Sequence, residues 1–246
     1  MKKLITILSL GLALSACETE SGSPNISSGE TTGQGGSLAR FAVAGDHLYA
    51  VDGRELKVFD LSNSSNAVYL SRHELNTQVE TIFPRDENTL FIGTVSGMFI
   101  YDISQAPSIS QRNVYQHITA CDPVVANQNY AYVTLRSDEN SNFCFRSVNQ
   151  LDIINIANLD SIYLESTFPM VNPLGLGLYG DTLMVCDNGL KVLNVADPNA
   201  IKLIDVDEDF DAVDLIPNGD LVIAVAEDGL SQYRYFKGKL NLLSRF

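Results

Sequence analysis

One sequence pattern occurs five times in the chain, and this repeat constrains the fold more than any other feature. In its clearest copy, residues 180–195 read as a turn, an apolar run, an Asp187-Asn188-Gly189 turn and a second apolar run. The spacing between copies is about 40 residues, a period typical of repeat architectures. The runs are short, rich in Val, Ile, Leu, Tyr and Phe, and bounded by turn residues, so they predict β-strands. The second strands of the repeats are predicted at 47–52, 89–94, 130–135, 182–187 and 220–226.

Each repeat divides into four strands that would form one antiparallel sheet. A single sheet of this kind cannot cover both of its apolar faces, whereas five sheets around a common axis can cover one another. The pattern therefore predicts an all-β chain folded as a five-bladed β-propeller with four strands in each blade. We expect the ring to close by packing of the first blade against the last, or alternatively by residues 38–44 completing the last blade. The predicted blades are 38–75, 76–117, 118–170, 171–209 and 210–246.

Two stretches resemble a known family. Residues 56–62 read Leu-Lys-Val-Phe-Asp-Leu-Ser, and residues 190–198 read Leu-Lys-Val-Leu-Asn-Val-Ala-Asp-Pro. Both are similar to the LVIVD repeat, which occurs in bacterial surface and secreted proteins and is expected to form propellers. The resemblance covers 38–246, although the third repeat carries an insertion and the fifth has Gln-Tyr-Arg-Tyr at 232–235. It implies a propeller fold and supplies no catalytic residue or activity.

The N-terminal residues 1–16 have the features of a lipoprotein signal peptide. Lys2 and Lys3 precede an apolar run at 4–14 that is too short for a membrane-spanning helix. Small residues then lead to Cys17, which we expect to be lipidated and to become the first residue of the mature chain. An ordinary secretory signal is the alternative. The sequence thus predicts a protein held in a bacterial cell envelope by its lipid, at the outer membrane, on the periplasmic or the external side.

The segment that follows predicts a flexible tether over residues 17–37. It is rich in Ser, Gly, Thr and Glu, and Ile26 is its single large apolar residue before the first repeat. Such a composition buries too little apolar surface to offset the entropy of ordering the chain. The domain at 38–246 is therefore expected at the end of a disordered linker.

Charge limits the partners of the chain. Acids outnumber bases 30 to 16, which gives a net charge of −14. Binding to a nucleic-acid backbone requires clustered Lys and Arg, and the sequence has no such cluster, so we expect no nucleic-acid partner. An acidic surface instead attracts cations or basic proteins. We therefore expect a protein or another envelope component as the partner.

The cysteines suggest one disulfide. Cys121 precedes the first strand of the third blade, and Cys144 lies in the insertion between its second and third strands. In an antiparallel blade these two positions lie at the same end, and an exported protein is exposed to oxidising conditions. We therefore predict a Cys121–Cys144 disulfide. Cys186 falls in an apolar strand and is expected to be a buried hydrophobic residue.

Two further patterns could carry chemistry. Four aspartates two residues apart would point the same way from an extended strand, and clustered oxygens suit a cation such as Ca²⁺; the alternative is a solvated charged edge without any cofactor. These residues are Asp205, Asp207, Asp209 and Asp211. Residues 175–180 satisfy a G-x-G-x-x-G pattern, but no helix follows them. The glycines are instead expected where backbones approach closely, with Gly180 in a turn.

The loops sort into two ends of the predicted ring. We call upper face the end formed by loops between second and third strands and by loops between successive sheets; the lower face holds the remaining turns. The upper face is predicted to be electronegative and to be the binding face, although solvent-facing turns favour Asp in any protein. The chain would then be a binding or scaffold module, or a structural subunit. The alternative is an extracytoplasmic hydrolase with carboxylates at the mouth of the axial channel. The residues proposed for the binding face are Asp52, Asp187, Asp207, Asp209 and Asp228.

Overall fold

The computed structural model of the protein describes residues 32–33, 35–63, 65–116, 123–137 and 148–246. Over these ranges all the regular structure is β-strand, arranged in five antiparallel sheets. The prediction of an all-β chain is confirmed. Among the same residues there is no helix with the length and apolarity needed to cross a membrane.

The first three sheets follow the order of the sequence, with each strand pairing to the next. Sheet 1 has β1 (Thr32–Gly33), β2 (Phe41–Ala44), β3 (His47–Asp52), β4 (Glu55–Asp60) and β5 (Val68–Glu74). Sheet 2 has β6 (Val79–Asp86), β7 (Thr89–Thr94), β8 (Gly97–Asp102) and β9 (Ser110–Gln116). Sheet 3 has β10 (Val124–Ala126), β11 (Tyr130–Leu135), β12 (Gln150–Asn155) and β13 (Tyr163–Pro169).

The last two sheets have the same simple order. Sheet 4 has β14 (Pro173–Tyr179), β15 (Thr182–Asp187), β16 (Leu190–Asn194) and β17 (Lys202–Asp207). Sheet 5 has β18 (Asp214–Asn218), β19 (Leu221–Val225), β20 (Leu230–Phe236) and β21 (Lys239–Arg245). Because β2 pairs with β3 inside sheet 1, the alternative in which 38–44 completes the last blade is wrong.

One backbone hydrogen bond is repeated in all five sheets. In each, a residue at the end of the third strand or within one position of it donates its N–H to the carbonyl of the turn residue that precedes the second strand. This bond fixes the turn between the first two strands against the third, so it sets the same register in every repeat. The pairs and their N···O distances are Leu61–Asp46 (2.7 Å), Ile103–Asn88 (2.9 Å), Ile156–Asn129 (2.8 Å), Val195–Asp181 (2.9 Å) and Tyr235–Asp220 (2.7 Å).

Four hydrophobic clusters hold consecutive sheets together. Sheets 1 and 2 share one that includes Tyr49 and Leu90, and sheets 2 and 3 share one that includes Phe91. Tyr132 lies in the cluster between sheets 3 and 4, and Met184 lies in the cluster between sheets 4 and 5. Each middle sheet therefore buries both faces, which explains why its second strand is apolar throughout.

Sheets 1 and 5 are packed differently from the middle sheets. Leu48, Leu90 and Leu183 are each the second residue of the second strand in their sheets. Leu90 and Leu183 are fully buried, whereas Leu48 is partly exposed. On sheet 5, Ile223 lies on the face directed away from sheet 4, and it is also partly exposed. Among the described residues no hydrophobic cluster joins these two sheets, and the expected closure by packing of the first blade against the last stays a prediction. We call these two outward faces the seam.

The N-terminal segment supplies the connection that packing does not. β1 pairs with β2 as an additional inner strand, and the chain then turns through residues 35–40, which we call the axial segment. Gly36 and Ser37 are buried. The predicted tether was to extend through Ser37, so the ordered chain begins earlier than composition indicated. Specific contacts of a glycine and a serine, described below, explain why a hydrophilic segment is ordered here.

Candidate functional site

The axial segment is bonded to three other sheets. Ser37 Oγ donates to Asp214 Oδ1 (3.1 Å) and accepts from Leu176 N (2.7 Å), which ties it to sheets 5 and 4. Leu38 N donates to the second carboxylate oxygen of Asp214 at 3.2 Å. On the other side, Ile82 N of sheet 2 donates to the Ala39 carbonyl at 3.0 Å. The segment thus fills the space that the first strands surround.

Glycines make this close approach feasible. A Cβ on Gly36 or Gly175 would overlap the carboxylate of Asp214. A Cβ on Gly177 would come within 2.6 Å of the Pro217 ring. Gly180 lies in the turn before β15 with φ +58. The prediction of close backbone approach is confirmed for Gly175, which faces Val213 and Asp214, and that of a turn is confirmed for Gly180, whereas Gly177 is packed against side chains.

Asp214 is a half-buried acid at this junction. Burial raises the pKa of its carboxyl above the ordinary value of 3.8, although the hydrogen bonds from Leu215 N, Leu38 N and Ser37 act in the opposite direction. The folded chain therefore stabilises the protonated form of Asp214 more than water does. Sequence reasoning missed this residue, because a single Asp at the start of an apolar strand resembles the turn aspartates of the other repeats.

The axial segment lines two cavities. The lower cavity has a volume of about 290 Å³ and is lined by the first strands of all five sheets together with Gly35 and Gly36. Most of its lining residues have apolar side chains. Arg85 lies at its edge, but this side chain is already paired with Asp86 (2.8 Å) and bonded to Thr89 (3.1 Å). Since all five first strands line one cavity, the sheets are arranged around a common axis, which is consistent with a propeller of five blades.

The upper cavity has a volume of about 320 Å³, and charged residues are among those that line it. It opens on the upper face, because its walls are the starts of first strands and the end of β11. Two arginines and one glutamate are among its lining residues. Leu38, Pro123, Pro173 and Leu174 form apolar parts of the wall. The polar residues that line it are Arg40, Gln78, Glu80, Thr81 and Arg136.

The carboxylates predicted for the binding face do not form one group. Asp187 is buried, pairs with Lys191 Nζ (2.7 Å) and accepts from the backbone N–H groups of residues 171 and 172. Asp207 accepts from Tyr233 Oη (2.8 Å) and Arg245 Nη2 (3.0 Å). The hydrogen bond from Lys57 Nζ lowers the pKa of Asp52. The two remaining residues, Asp209 and Asp228, are exposed.

Two of the four alternating aspartates, Asp205 and Asp207, are engaged by cations of the protein itself. Burial alone would raise the pKa of Asp205, but the bonds from Lys239 Nζ (2.8 Å) and Leu240 N (2.8 Å) outweigh it and lower the pKa. Asp207 meets Arg245 as described above. Asp209 and Asp211 lie beyond the end of β17 and are exposed. In the described part of the chain no three His, Cys, Asp or Glu side chains are grouped so that they could hold a metal ion.

The cysteine predictions fall largely outside the described residues, where Cys17, Cys121 and Cys144 lie. Cys186 is described and is a free, fully buried thiol whose pKa is raised by desolvation. A buried thiol of this kind is a poor nucleophile, as expected from its apolar strand.

Comparison with known proteins adds information on the fold. The sequence matches no family model and no curated protein. Its structure is similar to a protein from Lactobacillus plantarum, with a TM-score of 0.65 and 15% identity over 81% of this chain and 67% of that one. It is also similar to a periplasmic gluconolactonase from Pseudomonas aeruginosa, with a TM-score of 0.63 and 14% identity over 82% and 67% of the two chains. At these identities the likeness concerns the fold alone, which is β-propeller-like and all-β.

Proposed function

We propose that the protein is a five-bladed, LVIVD-type propeller, anchored in a bacterial envelope by a lipid on Cys17, that acts as a binding or scaffold module. The observation that carries the proposal is the axial segment. Ser37 is buried, and the axial segment that contains it lines both cavities, which supports a filled axis and a binding role rather than passage of a substrate. The upper face, with its cavity and its exposed acids, then remains as the surface for a partner.

The proposal is tested by affinity isolation from detergent-solubilised envelopes with the full chain as bait. Asp209 and Asp228 are the acids to neutralise, because Asp187 and Asp207 support the fold. We expect Asp209→Asn with Asp228→Asn to weaken capture of an envelope protein, and a matched lower-face pair, Asp181→Asn with Asp220→Asn, to leave it unchanged. If both double variants lost capture of the envelope protein, or if neither did, the role of the upper face would be refuted.

The lipid anchor is tested separately. Wild-type protein is expected in the detergent phase after phase separation of cell lysate, because a diacylated N-terminus partitions into apolar surroundings. Cys17→Ser is expected to move the protein to the aqueous phase. A wild-type protein found in the aqueous phase would contradict anchoring by lipid.

A hydrolase is the second candidate, supported by the likeness to a periplasmic gluconolactonase. Glu80 is the acid among the described residues that line the upper cavity, and it would be the general base. Hydrolysis of δ-gluconolactone, followed by proton release in a pH-stat, distinguishes the candidates. Turnover that Glu80→Gln abolishes would favour the hydrolase over the binding module; a rate equal to that of buffer would exclude this substrate.

A further inference from the structure

We propose that the lower face lies against the membrane that holds the lipid anchor, with exposed aromatic and aliphatic side chains at the level of the lipid headgroups. The inference rests on the proposed anchoring through Cys17, and it adds which face of the domain is turned towards the lipid. Two independent observations carry it: the place where the chain enters the domain, and the distribution of exposed apolar side chains. The upper face then points away from the membrane, where a partner can reach it.

The chain enters the domain at its lower end. β1 pairs antiparallel with β2, and the register places Thr32 opposite Ala44 and Gly33 opposite Val43. Ala44 is the last residue of β2 and adjoins the lower-face turn that leads to β3. Thr32 therefore lies beside this turn, at the end of sheet 1 that belongs to the lower face.

The length of chain before Thr32 limits how the anchored domain can be oriented. Residues 18–31 connect Thr32 to Cys17, and a fully extended chain covers at most about 3.6 Å per residue, which gives about 50 Å in all. A strand of six residues such as β3 is itself about 20 Å long. If the upper face were turned to the membrane, the connection would also have to pass the whole height of the domain. The shorter path favours the lower face.

Exposed apolar side chains are concentrated at the same end. The fourth strands of sheets 1, 3 and 4 start at the lower face, and each has such a side chain within its first two residues. Phe236, which is 61% exposed, ends β20 at the lower turn of sheet 5. In the described part of the chain the upper end exposes Val171 and Phe246 but no tyrosine. We call lower rim the most exposed residues of the lower end: Val68, Tyr69, Tyr163, Leu203 and Phe236.

The chemistry of the lower rim suits the interface of a bilayer. Tyrosine is enriched at the level of the lipid headgroups, because its ring is apolar and its hydroxyl remains hydrated. Apolar side chains that enter this region add to the binding free energy supplied by the lipid anchor. Attraction between charges does not explain the contact, since the lower turns carry exposed acids such as Asp46 and Asp181. We therefore expect a zwitterionic surface to be sufficient.

The test uses tryptophan fluorescence, because the chain contains no tryptophan of its own. The full chain, purified with its lipid, is reconstituted in phosphatidylcholine vesicles whose acyl chains carry bromine, which quenches a nearby indole. We expect Phe236→Trp and Tyr163→Trp each to lose fluorescence relative to vesicles without bromine. Val171→Trp is the matched control, since Val171 is equally exposed but lies on the upper face; it should keep its fluorescence.

A second comparison distinguishes contact by the lower rim from proximity imposed by the connection alone. In the Phe236→Trp protein, the substitutions Tyr69→Ser, Tyr163→Ser and Leu203→Ser should reduce the quenching by brominated lipid. The upper-face substitutions Val171→Ser and Phe246→Ser should leave it unchanged. Quenching that persists with the lower-rim serines would overturn the proposed contact, and loss of envelope-protein capture by the same variant would then assign the lower rim to a protein partner.

Flotation of the vesicles separates this inference from the anchoring proposal. Protein that floats with the vesicles while Phe236→Trp keeps its fluorescence would overturn the orientation and leave the anchor intact. Equal quenching of Phe236→Trp and Val171→Trp would have the same meaning. Protein that does not float with the vesicles would refute both the anchor and the membrane contact.

Discussion

Ser37 Oγ donates a hydrogen bond to Asp214 Oδ1 over 3.1 Å and so joins two residues that lie 177 positions apart in the sequence. One belongs to the axial segment before sheet 1, and the other begins the first strand of sheet 5. Since the seam between these sheets has no hydrophobic cluster among the described residues, this contact connects the beginning and the end of the repeat array. Because polar contacts of the axial segment join the two ends of the repeat array, this N-terminal segment is a structural part of the domain.

Replacing Ser37 tests this connection. Ser37→Ala removes the donor to Asp214 and the acceptor for Leu176 N, and leaves polar groups unsatisfied at a buried site. We expect the free energy of unfolding in urea to fall by about 1–3 kcal/mol. Ser110→Ala, on the exposed edge strand β9, is the control and should change it by less than about 0.5 kcal/mol. An equal effect of the two substitutions would show that the axial segment contributes nothing to stability.

The raised pKa of Asp214 predicts an unusual pH dependence. A group whose pKa is higher in the folded state contributes stability when protonated, and this contribution is lost as the pH rises through the folded pKa. Asp214→Asn is permanently neutral, so its stability relative to the wild type should be greatest near pH 7. This difference should shrink as the pH falls towards 3.8, the ordinary value. Urea unfolding at several pH values between 7 and 4 measures it.

Asp160→Asn is a control for which we expect the opposite dependence of stability on pH. Its pairing with Arg112 (2.8 Å) lowers the pKa of this exposed carboxyl, so its contribution is present above 3.8 and is lost as the pH falls through the folded pKa. Asp160→Asn should therefore be less stable than the wild type near pH 7 and approach it in acid. Parallel dependences of stability on pH for the two variants would contradict a raised pKa of Asp214.

Because the residues of the seam are partly exposed, we expect leucines at equivalent positions of the repeats to contribute differently to the free energy of unfolding. Leu90 is fully buried between sheets 1 and 2, whereas Leu48, at the same position of the first repeat, is partly exposed. Leu90→Ala should lower the free energy of unfolding by about 2–5 kcal/mol, and Leu48→Ala by at least about 1 kcal/mol less. Equal losses would mean that the first and last sheets pack together in solution.

The repeats were predictable because each is governed by local patterns. The second strands were predicted at 47–52, 89–94, 130–135 and 182–187, and the structure has the same bounds; the fifth was predicted at 220–226 and is Leu221–Val225. In these segments, apolar runs between turn residues leave one reasonable register. The alternation of burial in β3 and β19 was not predictable, because it depends on whether a neighbouring sheet is present.

The axial segment could not be predicted for a different reason. A stretch of Gly and Ser has the composition of a linker, and its order depends on a contact with Asp214 that no local pattern reports. The two signals were the glycines at 35 and 36 and an acid placed at the start of an apolar strand. The upper cavity was missed likewise, since Arg40 and Arg136 are isolated basic residues in the sequence and only the ring arrangement brings them to one cavity.

The predicted disulfide lies outside the described residues and remains a prediction. If Cys121 and Cys144 are bonded, they close a loop of about two dozen residues, which should contribute roughly 3 kcal/mol by the chain-entropy estimate. Mass mapping of unreduced peptides from exported protein should show Cys121 and Cys144 linked and Cys186 as a free thiol. Dithiothreitol should lower the free energy of unfolding of the wild type but not of the Cys121→Ser, Cys144→Ser double variant. Alkylation of all three thiols without prior reduction would contradict the bond.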